Sequence, residues 1–260
     1  MDLRLPRPIR VFACDIDGCL VAVDHAAVDL PRLHDIAELS RASVHDPSVP
    51  ALTLVTGRPH GYLDAFSQAL DVRLPASFEN GAGLATRHPY RAWLSPAVAE
   101  GRSHVAEAER LLAQRGDVFL QPGKLASLSV FARDASVSVE RLSDDLLRWV
   151  DRHGLPLSVD PAIDCVNVLL RGVDKATGFA AVCEAAAVDA AEVAGIGDAA
   201  GDRPWLARCG VSFAPVDATP DVRAAVDHAS ELPDVHATLA AYRALVAANR
   251  AWLARSGVDA

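Results

Sequence analysis

Asp15 and Asp17 stand two residues apart at the end of a short apolar run, Ile9 to Ile16, and immediately before Gly18. A β-branched run of this length closed by glycine reads as a buried parallel strand ending in a turn. Side chains alternate along a strand, so carboxylates two apart leave on the same face. Crowded carboxylates raise one another's pKa or recruit a cation. Asp198 follows a second apolar run, Val193 to Ile196, and completes a set of oxygen donors. Hard carboxylate oxygens favour Mg2+, which keeps several waters and binds through few carboxylates plus substrate phosphate. Lys175, at the start of a helical pattern, brings a positive charge able to hold a carboxylate and a phosphate together. Thr56 and the amide of Gly57 end the run Ala51 to Thr56 and add neutral donors at a helix start, where phosphate oxygens are well received. Arg58 is placed either to touch substrate or to pair with an acidic neighbour, and Lys124 to reach a substrate's polar head.

These residues must be carried by elements that end at one place. After the first strand the pattern predicts a helix over Leu30 to Ser43, the strand Ala51 to Thr56, a helix to about Leu70 and a strand at Ala76 to Glu79 before Asn80-Gly81. From about Leu84 the texture changes. A long amphipathic stretch, Pro96 to Gln114, leads to an alternating run, Leu125 to Ala132, a helix over Val139 to His153, and strands at Leu155 to Val159 and Ile163 to Leu170 parted by a turn at Asp160-Pro161. Alternation predicts an antiparallel sheet with one covered face. The first texture then returns with a helix from Lys175 to about Ala187, strands at Val193 to Ile196 and Val211 to Ala214, and a helix over Val235 to Ala254. The expectation is an α/β fold, a Rossmann-like parallel core formed by residues 1–83 and 170–260 with an α+β module inserted at 84–169. In such sheets the ligand site lies beyond the carboxyl ends of the strands, where Asp15, Asp17, Thr56 and Asp198 all fall.

The chain has 260 residues, 51% of them hydrophobic, enough for a sizeable core. A net charge of −9 without a Lys/Arg run leaves no footprint for a nucleic-acid backbone. The five cysteines are scattered without metal-ligand spacing and read as reduced thiols, which points to the cytoplasm. The first residues show no signal-peptide pattern and no apolar stretch long enough to enter a membrane. Nothing in the pattern speaks to oligomeric state.

The four ordered segments DIDGCL (15–20), VTGRP (55–59), GVDKATG (172–178) and GDAAGD (197–202) resemble the motifs of the haloacid dehalogenase-like (HAD) phosphatase superfamily. Asn80-Gly81-Ala82 and the size and place of the insertion resemble its Cof-like branch, which carries a large α/β cap. The resemblance implies a Mg2+-dependent phosphohydrolase acting on a small phosphorylated metabolite, a sugar phosphate or a phosphoglycolate-like acid. It implies that Asp15 attacks phosphorus to give an aspartyl-phosphate, and that Asp17 protonates the leaving oxygen and later activates water. Asp198 would ligate the metal with Asp15 and the backbone carbonyl of Asp17. Asp202 would orient the metal's water shell or Lys175, although its place before Arg203-Pro204 also suits a helix cap. Two positions depart from the pattern: Cys19 stands where the family usually has Thr, and Gly201 where the branch usually has Asn. Phosphotransfer of the phosphomannomutase type, and a non-catalytic metabolite-binding protein, remain alternatives.

Overall fold

The structure is a computed structural model that describes residues 3–23 and 26–256. The chain begins with β1 (Val11–Cys14), α1 (Leu30–Ala42), β2 (Ala51–Leu54), α2 (His60–Ala69) and β3 (Ala76–Phe78). The middle supplies β4 (Gly83–Arg87), β5 (Tyr90–Leu94), α3 (Pro96–Leu112), β6 (Val118–Leu120), β7 (Leu128–Ala132), α4 (Val139–His153), β8 (Leu157–Pro161) and β9 (Val166–Leu170). The last part adds α5 (Lys175–Ala185), β10 (Val193–Ile196), α6 (Arg203–Leu206), β11 (Val211–Ala214), α7 (Pro220–Ala225), β12 (His228–Ala229) and α8 (Asp234–Ser256).

The core is a parallel sheet of order β12-β11-β10-β1-β2. β1, β10 and β11 are buried along their whole length, as continuous apolar strands covered on both faces must be. On one face Phe12, Ile36, Leu52 and Tyr242 pack together beneath α1 and α8. Two polar side chains fix α8 there: the Tyr242 hydroxyl donates to the Pro50 carbonyl at 2.6 Å, and the Asn249 amide both accepts from the Ile9 N–H and donates to the Ile9 carbonyl. Phe179 of α5, Trp205 of α6 and Val222 of α7 fill the other face. The result is a three-layer α/β arrangement.

The middle of the chain makes an antiparallel sheet of order β6-β7-β9-β8. Its inward residues, Val130, Val166 and Val168, bury against Val105 and Leu112 of α3 and Leu146 and Trp149 of α4. α4 spans the residues its sequence predicts because each signal agrees: Ser138 accepts the Arg141 N–H at the start, Arg152 and His153 close the last turn, and Gly154 adopts the left-handed conformation at φ 61°. A further sheet, β3-β4-β5, joins the two bodies.

Several details differ from the sequence expectation. Asp160 and Pro161 belong to β8, with Pro161 opposite Val166, and the chain reverses instead over 162–165, where the Ala162 N–H meets the Cys165 carbonyl. β8 is an edge strand, so proline's missing N–H breaks no ladder bond. β4, β5, β6, α7 and β12 were not anticipated: β5 is largely exposed and β12 has only two residues, so neither shows a clear hydrophobic period.

Candidate active site

β1 ends with its ladder continued by the Asp15 N–H, which donates to the Ile196 carbonyl at 3.1 Å. The Asp15 carboxylate is turned by the next amide, Ile16 N–H to Oδ1 at 2.7 Å, and its Oδ2 accepts from Lys175 Nζ at 2.6 Å. Lys175 opens α5, whose start is fixed by Asp174 accepting the Thr177 N–H and by Thr177 Oγ1 accepting the Asp174 N–H. The ammonium also donates to Asp202 Oδ1 at 2.7 Å. Asp202 is fully buried and saturated: Trp205 Nε1 donates to Oδ1, and the amides of Asp198 and Ala199 donate to Oδ2. It makes no cap bond to α6 and acts as a post that holds Lys175 and the 198–199 backbone. Asp198 lies directly over Gly18, where a Cβ would stand 2.2 Å from Asp198 Oδ2, so only glycine admits that carboxylate. Gly18 also turns the chain at φ 71°.

Carboxylate oxygens of Asp15, Asp198 and Asp202 lie within 4.8 Å of one another. Burial lifts Asp15 to a pKa of about 7 against the pull of Lys175, with Asp202 and Asp17 adding to the rise. Burial, then Asp15 and Asp202, lift Asp198 to about 8. Burial alone would lower Lys175, but Asp15 and Asp202 hold it well above the ordinary lysine value. Asp202 has no free lone-pair direction, whereas no donor among the described residues reaches the Asp198 carboxylate. Asp15 and Asp198 therefore form a hard oxygen pair with excess negative charge, the donor chemistry that suits a small divalent cation.

Beside this cluster, the Thr56 side chain is fully buried and its Oγ1 accepts the Arg58 N–H at 3.1 Å. Of the two expectations for Arg58, the pairing with an acidic neighbour is the one observed. Its guanidinium donates to both oxygens of Asp17, at 2.7 and 2.6 Å, and stacks 4.8 Å from the Tyr62 ring centre. Lys124 reaches the same loop, Nζ donating to the Gly57 carbonyl at 2.7 Å. Burial draws its pKa below the lysine range, opposed by the charge of Glu79.

Glu79 is the residue that sequence reasoning missed. It has no exposed surface, yet it accepts the N–H groups of Leu125 and Ala126 and the hydroxyl of Ser127. A carboxylate beside Asn80-Gly81 reads as a solvated turn, and partners that are mostly backbone amides leave no mark in the sequence. Cys19 is fully buried and its thiol pushed well up by burial, in keeping with a small apolar residue. A Cβ at Gly201 would meet nothing within 4 Å, so the backbone does not require glycine there.

A family profile described as haloacid dehalogenase-like hydrolase matches residues 157–239, which include Lys175, Asp198 and Asp202. A phosphoglycolate phosphatase from Methanopyrus kandleri is 28% identical over 216 residues, 82% of this chain and 87% of that protein. A solved Thermoplasma acidophilum protein matches with a TM-score of 0.73 at 17% identity, over 92% of this chain and 99% of that one. A HAD/COF-like hydrolase from Plasmodium vivax matches with a TM-score of 0.70 at 14% identity, over 93% and 96%. The sucrose-phosphatase of Synechocystis, solved with sucrose and phosphate, matches with a TM-score of 0.66 at 15% identity, over 92% and 98%. At these identities the solved structures share the fold. The profile and the relative show that the chain is similar to haloacid dehalogenase-like hydrolases.

Proposed function

We propose that the chain is a Mg2+-dependent phosphohydrolase that releases phosphate from a small phosphorylated acid in the cytoplasm, through an aspartyl-phosphate on Asp15. The observation that carries this reading is the single ammonium of Lys175 bridging Asp15 and Asp202 beside Asp198, at the carboxyl end of the parallel sheet. Asp15 and Asp198, with the Asp17 carbonyl, would hold Mg2+, which when bound supplies positive charge against the repulsion between carboxylate and phosphate. Lys175 adds to that field and keeps the Asp15 carboxylate aimed. Thr56 and the Gly57 amide receive the phosphate oxygens. Asp15 attacks phosphorus, Asp17 donates its proton to the leaving oxygen, and the same carboxylate then takes a proton from the water that opens the acyl phosphate. Arg58 now occupies both oxygens of Asp17. An incoming dianion competes for the guanidinium and frees Asp17 for its role.

Residues 84–169 would form the cap, with β4 and β5 lodged against the core. The phosphoglycolate-like class is favoured over a sugar phosphate because two cations, Arg58 and Lys124, meet at the mouth, and the Methanopyrus kandleri relative is a phosphoglycolate phosphatase. Phosphate release from 2-phosphoglycolate and from p-nitrophenyl phosphate, with and without Mg2+, tests the reading. Asp15→Asn should lose on the order of a thousandfold or more in kcat, as removal of a covalent nucleophile does. Equal rates for the two proteins would remove Asp15 from the mechanism.

A further inference from the structure

The loop between β6 and β7 is gripped at three successive residues by the Glu79 side chain. Glu79 Oε1 accepts the Leu125 N–H at 2.8 Å, and Oε2 accepts the Ala126 N–H and the Ser127 hydroxyl, each at 2.9 Å. A fully buried carboxylate needs such donors, and three of them nearly fill its capacity. The same residue is tied to the phosphate-binding loop: the Glu79 N–H donates to the Arg58 carbonyl and the Asn80 N–H to the Thr56 carbonyl. Glu79, Asn80 and Gly81 all have positive φ, 49°, 54° and 92°. Two non-glycine residues in that region persist only where the surroundings over-determine them, and such strain clusters at working sites. Next to the gripped residues, Lys124 stands on the Gly57 carbonyl.

We infer that Glu79 is a positioning residue that clasps the 125–127 segment and so delivers Lys124 to the phosphate loop, where the ammonium reads a second negative charge on the leaving group. Glu79 itself touches neither substrate nor Asp15; it acts through Lys124. The substrate class that follows is a phosphate ester of a short hydroxy acid, and this part rests on the phosphatase reading above.

The test compares kcat/KM for 2-phosphoglycolate with that for p-nitrophenyl phosphate, whose leaving group carries no carboxylate, in wild type, Lys124→Ala, Glu79→Ala, Ser127→Ala and the Glu79→Ala/Lys124→Ala double variant. Lys124→Ala should lower the ratio about tenfold or more, the worth of one charge-assisted hydrogen bond. Glu79→Ala should lower it comparably, Ser127→Ala less but in the same direction, and the double variant no further than Lys124→Ala alone. Amide exchange at Leu125 and Ala126 should be about tenfold faster or more in Glu79→Ala, since their acceptor is gone. A ratio that falls with Lys124→Ala but holds in Glu79→Ala and Ser127→Ala would overturn the clasp and leave the substrate class standing. Additive losses in the double variant would likewise overturn action through Lys124. A wild-type enzyme with no preference for the acid, or one whose preference survives Lys124→Ala, would overturn the substrate class and the delivery role with it, whereas the exchange rates would still report the clasp. Should Glu79→Ala fail to fold, Ser127→Ala decides by the same ratio.

Discussion

Stability of the metal-free protein should fall as pH rises from 5 to 7, and Mg2+ should reverse the fall. Asp15 and Asp198 are 3% and 5% exposed, and both are lifted from an ordinary value of 3.8, to about 7 and about 8. A carboxyl with a raised folded-state pKa keeps its proton in the folded chain at pH values where the unfolded chain has lost it. The folded state then binds more protons, and stability declines with pH between the unfolded and folded values. The two acids share one field, so only one retained proton is counted. At about 1.4 kcal/mol per pH unit, the two units cost about 3 kcal/mol. For a chain of this size that is a drop in Tm of roughly 5–10 °C. Carboxylates held low by surface arginines, such as Asp117 beside Arg115, act at lower pH and leave this window untouched. Mg2+ at about a hundredfold its Kd should return about 2.7 kcal/mol at pH 7 and far less at pH 5, where protons compete. In Asp198→Asn the pH slope should shrink and the Mg2+ response vanish. Thermal unfolding in EDTA and in Mg2+ at both pH values measures all of this. A Tm that is flat or rising from pH 5 to 7 in EDTA, or a Mg2+ gain equal at both, would refute the account of the buried pair.

Asp202→Ala would remove one of the two carboxylates on the Lys175 ammonium and leave the Trp205 indole and two backbone amides without their acceptor, so urea unfolding should show a loss of about 3–5 kcal/mol, as for breaking a buried ion pair. An unchanged midpoint would mean that Asp202 is not the post described. Gly81→Ala places a Cβ 2.2 Å from the Asp174 carbonyl at a φ of 92°, and should cost about 2 kcal/mol or more while moving the start of α5 and lowering kcat.

The parallel strands were legible in the sequence because burial on both faces demands continuous apolar runs, and β10 and β11 fall where those runs lie. The site was legible because its acids stand at the ends of such runs, so that Asp15, Asp198 and Lys175 converge once the strands align. The sequence could not choose between the two roles of Arg58, since its partner Asp17 lies 41 positions away. Glu79 escaped notice for a stronger reason: two of its three donors are peptide groups, which every residue carries. Asp160-Pro161 misled because proline signals a turn unless the strand is known to be an edge, and that is a property of the assembled sheet.

β1 lies between β2 and β10, and the Asn249 side chain that clamps Ile9 arrives 240 positions later. A nascent chain leaving the ribosome thus carries the strand that ends at Asp15 with one side open until β10 has been translated. The segment of α3, α4 and their sheet draws its apolar cluster from its own residues and can collapse meanwhile. β1 gains β2 early and β10 late, and the face it shares with β2 stays partly uncovered until α8 is made, so a message cut short before α8 would yield a chain with an exposed apolar sheet face.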